Sequence, residues 1–391
     1  VNAVAAFLEP SHQEMGRRLA GWSRSTLGSR PEPSSDDEAR REAKVMLDLL
    51  GRGGWLEAIA SRDLRGLCLV REAVAAHSPL ADAVVAIQGL GGAPLLLAGN
   101  AAQRDRWLAR IVRGRVMTAF AMTEPAAGSD VAAMQTNAVR DGDAWVINGE
   151  KHLISNAGIA DLYVVFARTA ADRGSRGISA FLVPGDTRGL EFSGAQTMSA
   201  PHPLGRVRFE DCRVAADAVL GEIDRGFKLG MMTLDCLRPT VGAAACGMAA
   251  RALDEAVLHA RGRQQFGQTL ADMPLVREKI GRMATDLDAA RLLVYRAAWQ
   301  QDRTWREEAT VSRRNAGAAA MAKGFATEMA QRVVDDAIQI VGGLGVLAGH
   351  PVERLYRSVR ALRIYEGATD IQRLIVAGEI FSGDSTAAAH A

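Results

Sequence analysis

The segment Arg363-Ile364-Tyr365-Glu366-Gly367-Ala368-Thr369-Asp370-Ile371-Gln372-Arg373 offers a single loop carboxylate, Glu366, that could take a proton from carbon. Thr369 and Gln372 have the Thr-x-x-Gln spacing of a capping box, which predicts a helix starting at Asp370 and leaves Glu366 on the loop before it. Gly367 lets the backbone turn closely against a ligand. A carboxylate facing an apolar cavity has its pKa raised by desolvation, toward the range of a general base. Far upstream, Ala119-Phe120-Ala121-Met122-Thr123-Glu124-Pro125-Ala126-Ala127-Gly128-Ser129-Asp130 precedes Trp145-Val146-Ile147-Asn148-Gly149-Glu150-Lys151-His152-Leu153-Ile154-Ser155-Asn156-Ala157. Its hydroxyls and its Gly-Ser-Asp turn offer hydrogen bonds to a planar, polar-edged ring. Taken singly, these are also the patterns of a solvated loop glutamate and of a polar turn in which Thr123 and Ser129 cap local backbone.

The elements that must position these residues fall into three stretches. Residues 1–117 carry helical periodicity: Ala43 to Leu50, Val70 to Ala76, Leu80 to Ile87 and Arg104 to Val112 suit separate amphipathic helices, with a Pro- and charge-rich entry at Arg30 to Arg41. Ala83 to Gly99 is the most apolar run, but four glycines and Pro94 predict a helix, a turn and a second helix rather than an unbroken membrane span. Gly89-Leu90-Gly91-Gly92 would then be the turn, since no strand precedes it as a dinucleotide fingerprint requires. Gly342-Gly343-Leu344-Gly345 likewise follows a helix and can cap it.

Between 118 and 222 the pattern changes. Ala144 to Ile147, Leu162 to Ala167, Ile178 to Val183 and Val207 to Glu210 are short β-rich runs bounded by Asn148-Gly149, Gly174, Gly177 and Pro184-Gly185. They predict a small β-barrel or sandwich domain. From 223 to 391 long helices return. Val276, Ile280, Met283, Leu287, Ala290, Val294 and Ala297 form one seam and Met321, Phe325, Met329, Val333 and Ile340 another, as in an antiparallel four-helix bundle. The fold class is therefore α+β and multidomain.

Forty-seven basic and 45 acidic side chains leave a net charge of +2, which argues against a nucleic-acid footprint or a polybasic membrane anchor. Basic clusters such as Arg313-Arg314 and the arginines from Arg354 to Arg363 suit solvated helix faces or phosphates. Cys68, Cys212, Cys236 and Cys246 have no Cys-x-x-Cys or His-rich spacing and read as reduced core residues of a cytoplasmic protein without a metal site.

Together and in this order, Glu366 and the two upstream segments resemble the acyl-CoA dehydrogenase family, strongly from Ala119 to about Phe381. The resemblance implies FAD as cofactor, an acyl-CoA substrate, an electron-transfer flavoprotein as acceptor and a homo-oligomer built as a dimer of dimers. Glu366 would be the catalytic base, with its backbone N–H and a ribityl hydroxyl stabilising the enolate oxygen. The alternative base position of some relatives is Leu237 here. Phe120, Met122, Thr123, Ser129, Leu153 and Ser155 would line the flavin, with Ser155 near N5. Arg263, Phe266, Gln339, Gly342 and Gly343 would hold the FAD of a neighbouring subunit. Thr369 and Asp370 would also touch the cofactor. Ser129, Asp235, Arg238 and Gly367 would meet the substrate.

Departures from the family pattern bear on individual contacts. Leu153 stands where an aromatic residue often covers the flavin, Pro274 where a glutamine is common, and Ser358 where an acid is common. The loop Met198-Ser199-Ala200-Pro201-His202-Pro203-Leu204-Gly205 replaces a polar turn that contacts the pantetheine arm. His202 either takes over a serine's hydrogen bond to the substrate or is an exposed loop histidine, the more ordinary outcome; in the first case the loop alters acyl selection. Two other readings remain open from the residues: an oxidase or monooxygenase in which oxygen reaches the flavin past Leu153, and a silent acyl-CoA-binding subunit. The acyl group leans toward short, branched or cyclic.

Overall fold

The computed structural model describes residues 2–306 and 315–382, so the Arg313-Arg314 cluster lies outside the described residues. Six helices come first: α1 (Pro10–Leu27), α2 (Asp36–Arg52), α3 (Glu57–Ala60), α4 (Leu64–Ala75), α5 (Pro79–Ala98) and α6 (Ala101–Val112). Seven strands follow: β1 (Thr118–Ala121), β2 (Asn137–Asp141), β3 (Ala144–Ser155), β4 (Leu162–Arg168), β5 (Ile178–Pro184), β6 (Leu190–Ala195) and β7 (Leu204–Ala215). Then come α7 (Gly226–Gly262), the short strands β8 (Gln264–Gln265) and β9 (Gln268–Thr269), α8 (Pro274–Arg306), α9 (Ala316–Val341), α10 (Pro351–Leu362) and α11 (Thr369–Ser382). The chain divides into two compact units, one of Val1–Glu32, Arg62–Asp82 and Asp235–Ala391, the other of Pro33–Ser61 and Ala83–Leu234.

The second unit is built on one seven-stranded sheet in the order β1-β4-β2-β3-β7-β6, with β5 paired to β4. Strand alternation divides β4 between two cores: Tyr163, Val165 and Ala167 face one with Trp145, Phe181 and Phe209, while Leu162, Val164 and Phe166 face the other with Leu95, Trp107 and Ile111. Both faces are covered, which is why β4 and β5 read as continuous apolar runs rather than alternating ones. The β domain expected from the sequence is thus a single mixed sheet with helices against one face. The parallel β1–β4 pairing, Thr118 opposite Leu162, joins segments too far apart for local turn signals to reveal.

The expected break in the apolar run does not occur. α5 is one helix, with Pro94 inside it and Gly89 to Gly92 in its middle. The glycines serve packing: a Cβ at Gly91 would clash with the Thr118 side chain, and one at Gly92 would lie 2.6 Å from Ile59. Gln88, fully buried, ties the helix to β1 by donating to the Val116 carbonyl (2.8 Å) and accepting from the Thr118 N–H (2.8 Å). The helix is long and apolar enough to cross a membrane, yet 83% of its apolar window is buried within the protein, as in a core helix.

In the first unit, Asp302 of α8 accepts from the Leu64 N–H (2.6 Å) and the Arg65 Nε (2.6 Å), fixing the start of α4. Along the expected α8 seam Met283, Leu287, Ala290, Val294 and Ala297 are buried, with Val276 and Ile280 half-buried. The α9 face differs from expectation: Phe325 is 37% exposed and Met321 half-buried, while Ala319, Ala322, Ala326, Met329 and Val333 are buried. A Cβ at Gly242 of α7 would lie 2.7 Å from Val294 and 3.4 Å from Ala326. Helices this close accept only small residues between them, so the bulky Phe325 turns outward. All four cysteines are free and buried, as expected.

Candidate active site

Glu366 lies on the loop between α10 and α11 and adopts φ +54°, followed by Gly367 at φ +95°. A left-handed glutamate beside a left-handed glycine is strained backbone, of order 1–3 kcal/mol, and needs its neighbours to hold it. They do so through carbonyls. Lys323 Nζ donates to the Gly367 carbonyl at 2.7 Å and Gln372 Nε2 at 2.9 Å. The expected capping box is therefore absent: Gln372 serves a carbonyl instead of an N–H, and Thr369, buried, donates its hydroxyl to Glu328 (2.8 Å). The helix begins at Thr369 itself.

The loop leaves two groups of Glu366 without partners among the described residues. Its carboxylate Oε2 is sealed from solvent and makes no hydrogen bond. No acceptor takes its backbone N–H either. Burial raises the carboxyl's pKa, and the cations Arg71, Lys323 and Arg238, in that order, oppose the rise. Arg71 is itself buried, held as a fork on Asp82 (2.8 and 2.9 Å) with a further bond to the Thr240 hydroxyl (2.9 Å). Arg238 is paired with Asp235. Lys323 is fully buried, and burial lowers its pKa to about 8 despite the pull of Glu366. The result is a carboxylate starved of hydrogen bonds within reach of three cations, a base that can ionise yet is not quenched by direct pairing. Sequence reasoning missed Arg71, Asp82 and Lys323, which lie 40 or more residues from Glu366. A lysine inside the apolar α9 pattern was the one signal available. Leu237 is buried and offers no rival base.

In the other unit, the Thr-Glu-Pro turn is anchored by a buried ion pair. Lys151 Nζ donates to Glu124 Oε1 (2.8 Å) and the Met122 carbonyl (3.1 Å), while Glu124 accepts from the N–H groups of Gln135 (2.6 Å) and Thr136 (3.0 Å). The His152 N–H donates to the Thr123 carbonyl (2.9 Å), setting this turn beside β3. Past Lys151 the β3–β7 register shifts, and Leu153 at φ +55° is 51% exposed, its N–H taken by the Gln196 side chain (2.9 Å). Phe120 is half-buried against Phe166, and Met122 is buried; Thr123 and Ser155 are partly accessible and Ser129 is exposed. His202 is not the exposed loop residue of the ordinary expectation: it is half-buried and hydrogen-bonded through Nε2 to the Ser155 hydroxyl (2.7 Å).

The structure therefore brings together Glu366, Gly367, Arg238 and Asp235 in one unit and Met122, Thr123, Ser155 and His202 in the other. Arg263, Phe266, Gln339, Gly342, Gly343 and Asp370 are exposed on the chain's surface, Phe266 at 92%. Gly342 caps α9 at φ +69°, and among the described residues no neighbouring heavy atom lies within 4 Å of where a Cβ on it or on Gly343 would sit. The exposed Arg263 guanidinium suits a diphosphate, and in the other unit the accessible hydroxyls of Thr123 and Ser155 suit a polar-edged ring. Of the substituted positions, Pro274 opens α8, and buried Ser358 donates to the Arg354 carbonyl (2.8 Å).

Residues 119–212 match the family model of the acyl-CoA dehydrogenase middle domain and residues 224–381 that of the acyl-CoA dehydrogenase C-terminal domain. Cyclohexane-1-carbonyl-CoA dehydrogenase of Geobacter metallireducens is 39% identical over 316 residues, 80% of this chain and 81% of that protein. A caffeyl-CoA reductase–Etf complex subunit, CarC of Acetobacterium woodii, is 39% identical over 296 residues, 74% of this chain and 75% of its own. The structure of butyryl-CoA dehydrogenase from Megasphaera elsdenii superposes with a TM-score of 0.85 at 30% identity, covering 96% of this chain and 99% of that one. The chain belongs to the acyl-CoA dehydrogenase family of FAD-dependent oxidoreductases.

Proposed function

We propose that this chain dehydrogenates a compact acyl-CoA thioester between its α- and β-carbons, Glu366 removing the α-proton. The observation that carries the reading is the Glu366 carboxylate oxygen, buried and, among the described residues, without a hydrogen-bond partner in a cationic surround. Such an oxygen accepts a proton without first breaking a bond. The free Glu366 N–H is a donor available to the thioester oxygen as charge develops there. Arg238 and Asp235, beside the base loop, would meet the substrate with Gly367 and Ser129. When bound, FAD supplies the hydride acceptor for the β-hydrogen. Thr123, Ser155, Met122, Phe120, Leu153 and Ser129 would border its ring. Arg263, Phe266, Gln339, Gly342 and Gly343, with Asp370, would hold the FAD of a second copy; Thr369 has its hydroxyl committed to Glu328.

Exposed Phe266, Leu344, Val346 and Leu347 support a dimer of dimers in which such copies meet. The name of the G. metallireducens relative supports a branched or cyclic acyl group, and that of CarC an electron-transfer flavoprotein as acceptor. Unpaired buried cysteines suit a reducing cytoplasm. Turnover with compact acyl-CoA esters and an electron-transfer flavoprotein should yield a product two hydrogens lighter by mass spectrometry. No mass change with any ester would sink the proposal. Hydrogen peroxide formed in step with product would transfer it to the oxidase reading, which the exposed Leu153 favours.

A further inference from the structure

The Met198–Gly205 loop is built to hold one side chain still. His202 sits between Pro201 and Pro203, which fix φ on either side of it, and its carbonyl accepts from the Leu204 N–H at 2.8 Å. The Pro203 carbonyl accepts from the Asn156 N–H at 2.7 Å, pinning the loop to the residue that follows Ser155. Ser155 itself pairs with Leu204 at the end of the β3–β7 ladder, so the loop returns directly over it. Arg40 of α2 fastens the same corner, donating to the Leu204 carbonyl at 2.9 Å and to the Ala157 carbonyl, with Asp36 on its Nε.

We propose that His202 is a positioning residue for Ser155, its imidazole occupying one hydrogen bond of the hydroxyl and so fixing how that hydroxyl faces the flavin. The inference rests on the reading above that Ser155 borders the flavin. A serine hydroxyl has one proton and two lone pairs and otherwise rotates to suit its surroundings. With Nε2 at 2.7 Å, one of those groups is committed and the rest point elsewhere. Burial, and then the Arg40 charge, lower the His202 pKa to about 4, with Asp36 opposing, so the ring stays uncharged near neutrality. His202 thus acts on the cofactor's environment through Ser155, not on the acyl group. That differs from the pantetheine role expected of this loop from the sequence.

The test uses the FAD-loaded protein and a double-mutant cycle read by the reduction potential of the bound flavin. His202→Ala should change the flavin's oxidation–reduction equilibrium by about tenfold, equivalent to about 30 mV for a two-electron couple. In a Ser155→Ala background the same substitution should have no further effect. His202→Gln, which keeps a polar atom on a similar stem, should recover much of the shift and guards against a variant that merely misfolds. A shift of full size in the Ser155→Ala background would overturn the inference, as would no shift in the native background. Wild-type protein that takes up no FAD would overturn the functional reading and this inference together. Flavin that is bleached by substrate but gives additive shifts overturns the inference alone.

Discussion

Two lysines, Lys151 in the sheet unit and Lys323 in the helical unit, are both fully buried, and burial lowers the pKa of each to about 8. Lys151 meets a carboxylate directly, Glu124 at 2.8 Å, and that carboxylate is saturated by two further backbone donors. Among the described residues Lys323 meets a single acceptor, the Gly367 carbonyl, while the Glu366 carboxylate beside it keeps an oxygen unbonded. The same residue type at the same depth therefore does two jobs. Where the ion pair is closed, it is structural and holds a turn; where it is left open, the charge lowers the pKa of the acid proposed as the base. A carboxylate oxygen sealed from solvent and left unbonded is costly, and that cost supports the proposal that Glu366 is where the chemistry is done.

The contrast can be broken first at its reactive end. Glu366→Gln should keep fold and flavin but slow flavin reduction by about 10²–10⁴-fold, because an amide cannot accept the α-proton; stopped-flow absorbance reads this. Next come the lysines. Lys151→Met leaves Glu124 as an uncompensated buried charge and should cost about 3–5 kcal/mol in denaturant unfolding. Lys323→Met removes a buried cation that, among the described residues, meets a carbonyl rather than a carboxylate, so at neutral pH it should destabilise far less than Lys151→Met or even stabilise the fold. Equal losses would erase the distinction between them.

The third effect is on pH. The base must be ionised, so flavin reduction should accelerate as pH rises through the raised pKa of Glu366 and then level off. Lys323 lowers that pKa, so Lys323→Met should move the rising limb to higher pH; an unmoved limb would remove Lys323 from the base's surroundings. The last effect is on how stability varies with pH. Lys323 binds its proton less tightly folded, near pH 8, than unfolded, near about 10.4. Between those values the unfolded state holds more protons, so this group adds stability as pH rises. The stability of Lys323→Met relative to wild type should accordingly fall across that window when unfolding is measured at each pH.

How far the sequence could be read follows the range of the interactions. Glu366, the Thr-Glu-Pro turn and the α8 seam are local patterns and stand where spacing put them. α5 misled because glycine signals a break when the local chain is considered alone, whereas here Gly91 is the space into which Thr118 fits. Thr369-x-x-Gln372 has capping-box spacing, but Glu328 of α9 and the Gly367 carbonyl compete successfully for those side chains. Arg71, Asp82 and Lys323 reach the base from three separate helices, and Ser155 meets His202 across 47 residues. Such pairings are made by tertiary packing and leave no period or spacing in the chain.

The central claim is that Glu366 and a bound flavin together take two hydrogens from an acyl-CoA. An anaerobic titration of the purified protein with short, branched, cyclic and long acyl-CoA esters, followed by visible absorbance, addresses it most directly. The account predicts a flavin spectrum that a compact ester bleaches in wild type and leaves unbleached in Glu366→Gln. A flavin that no ester bleaches, or one bleached equally fast in both proteins, would contradict it.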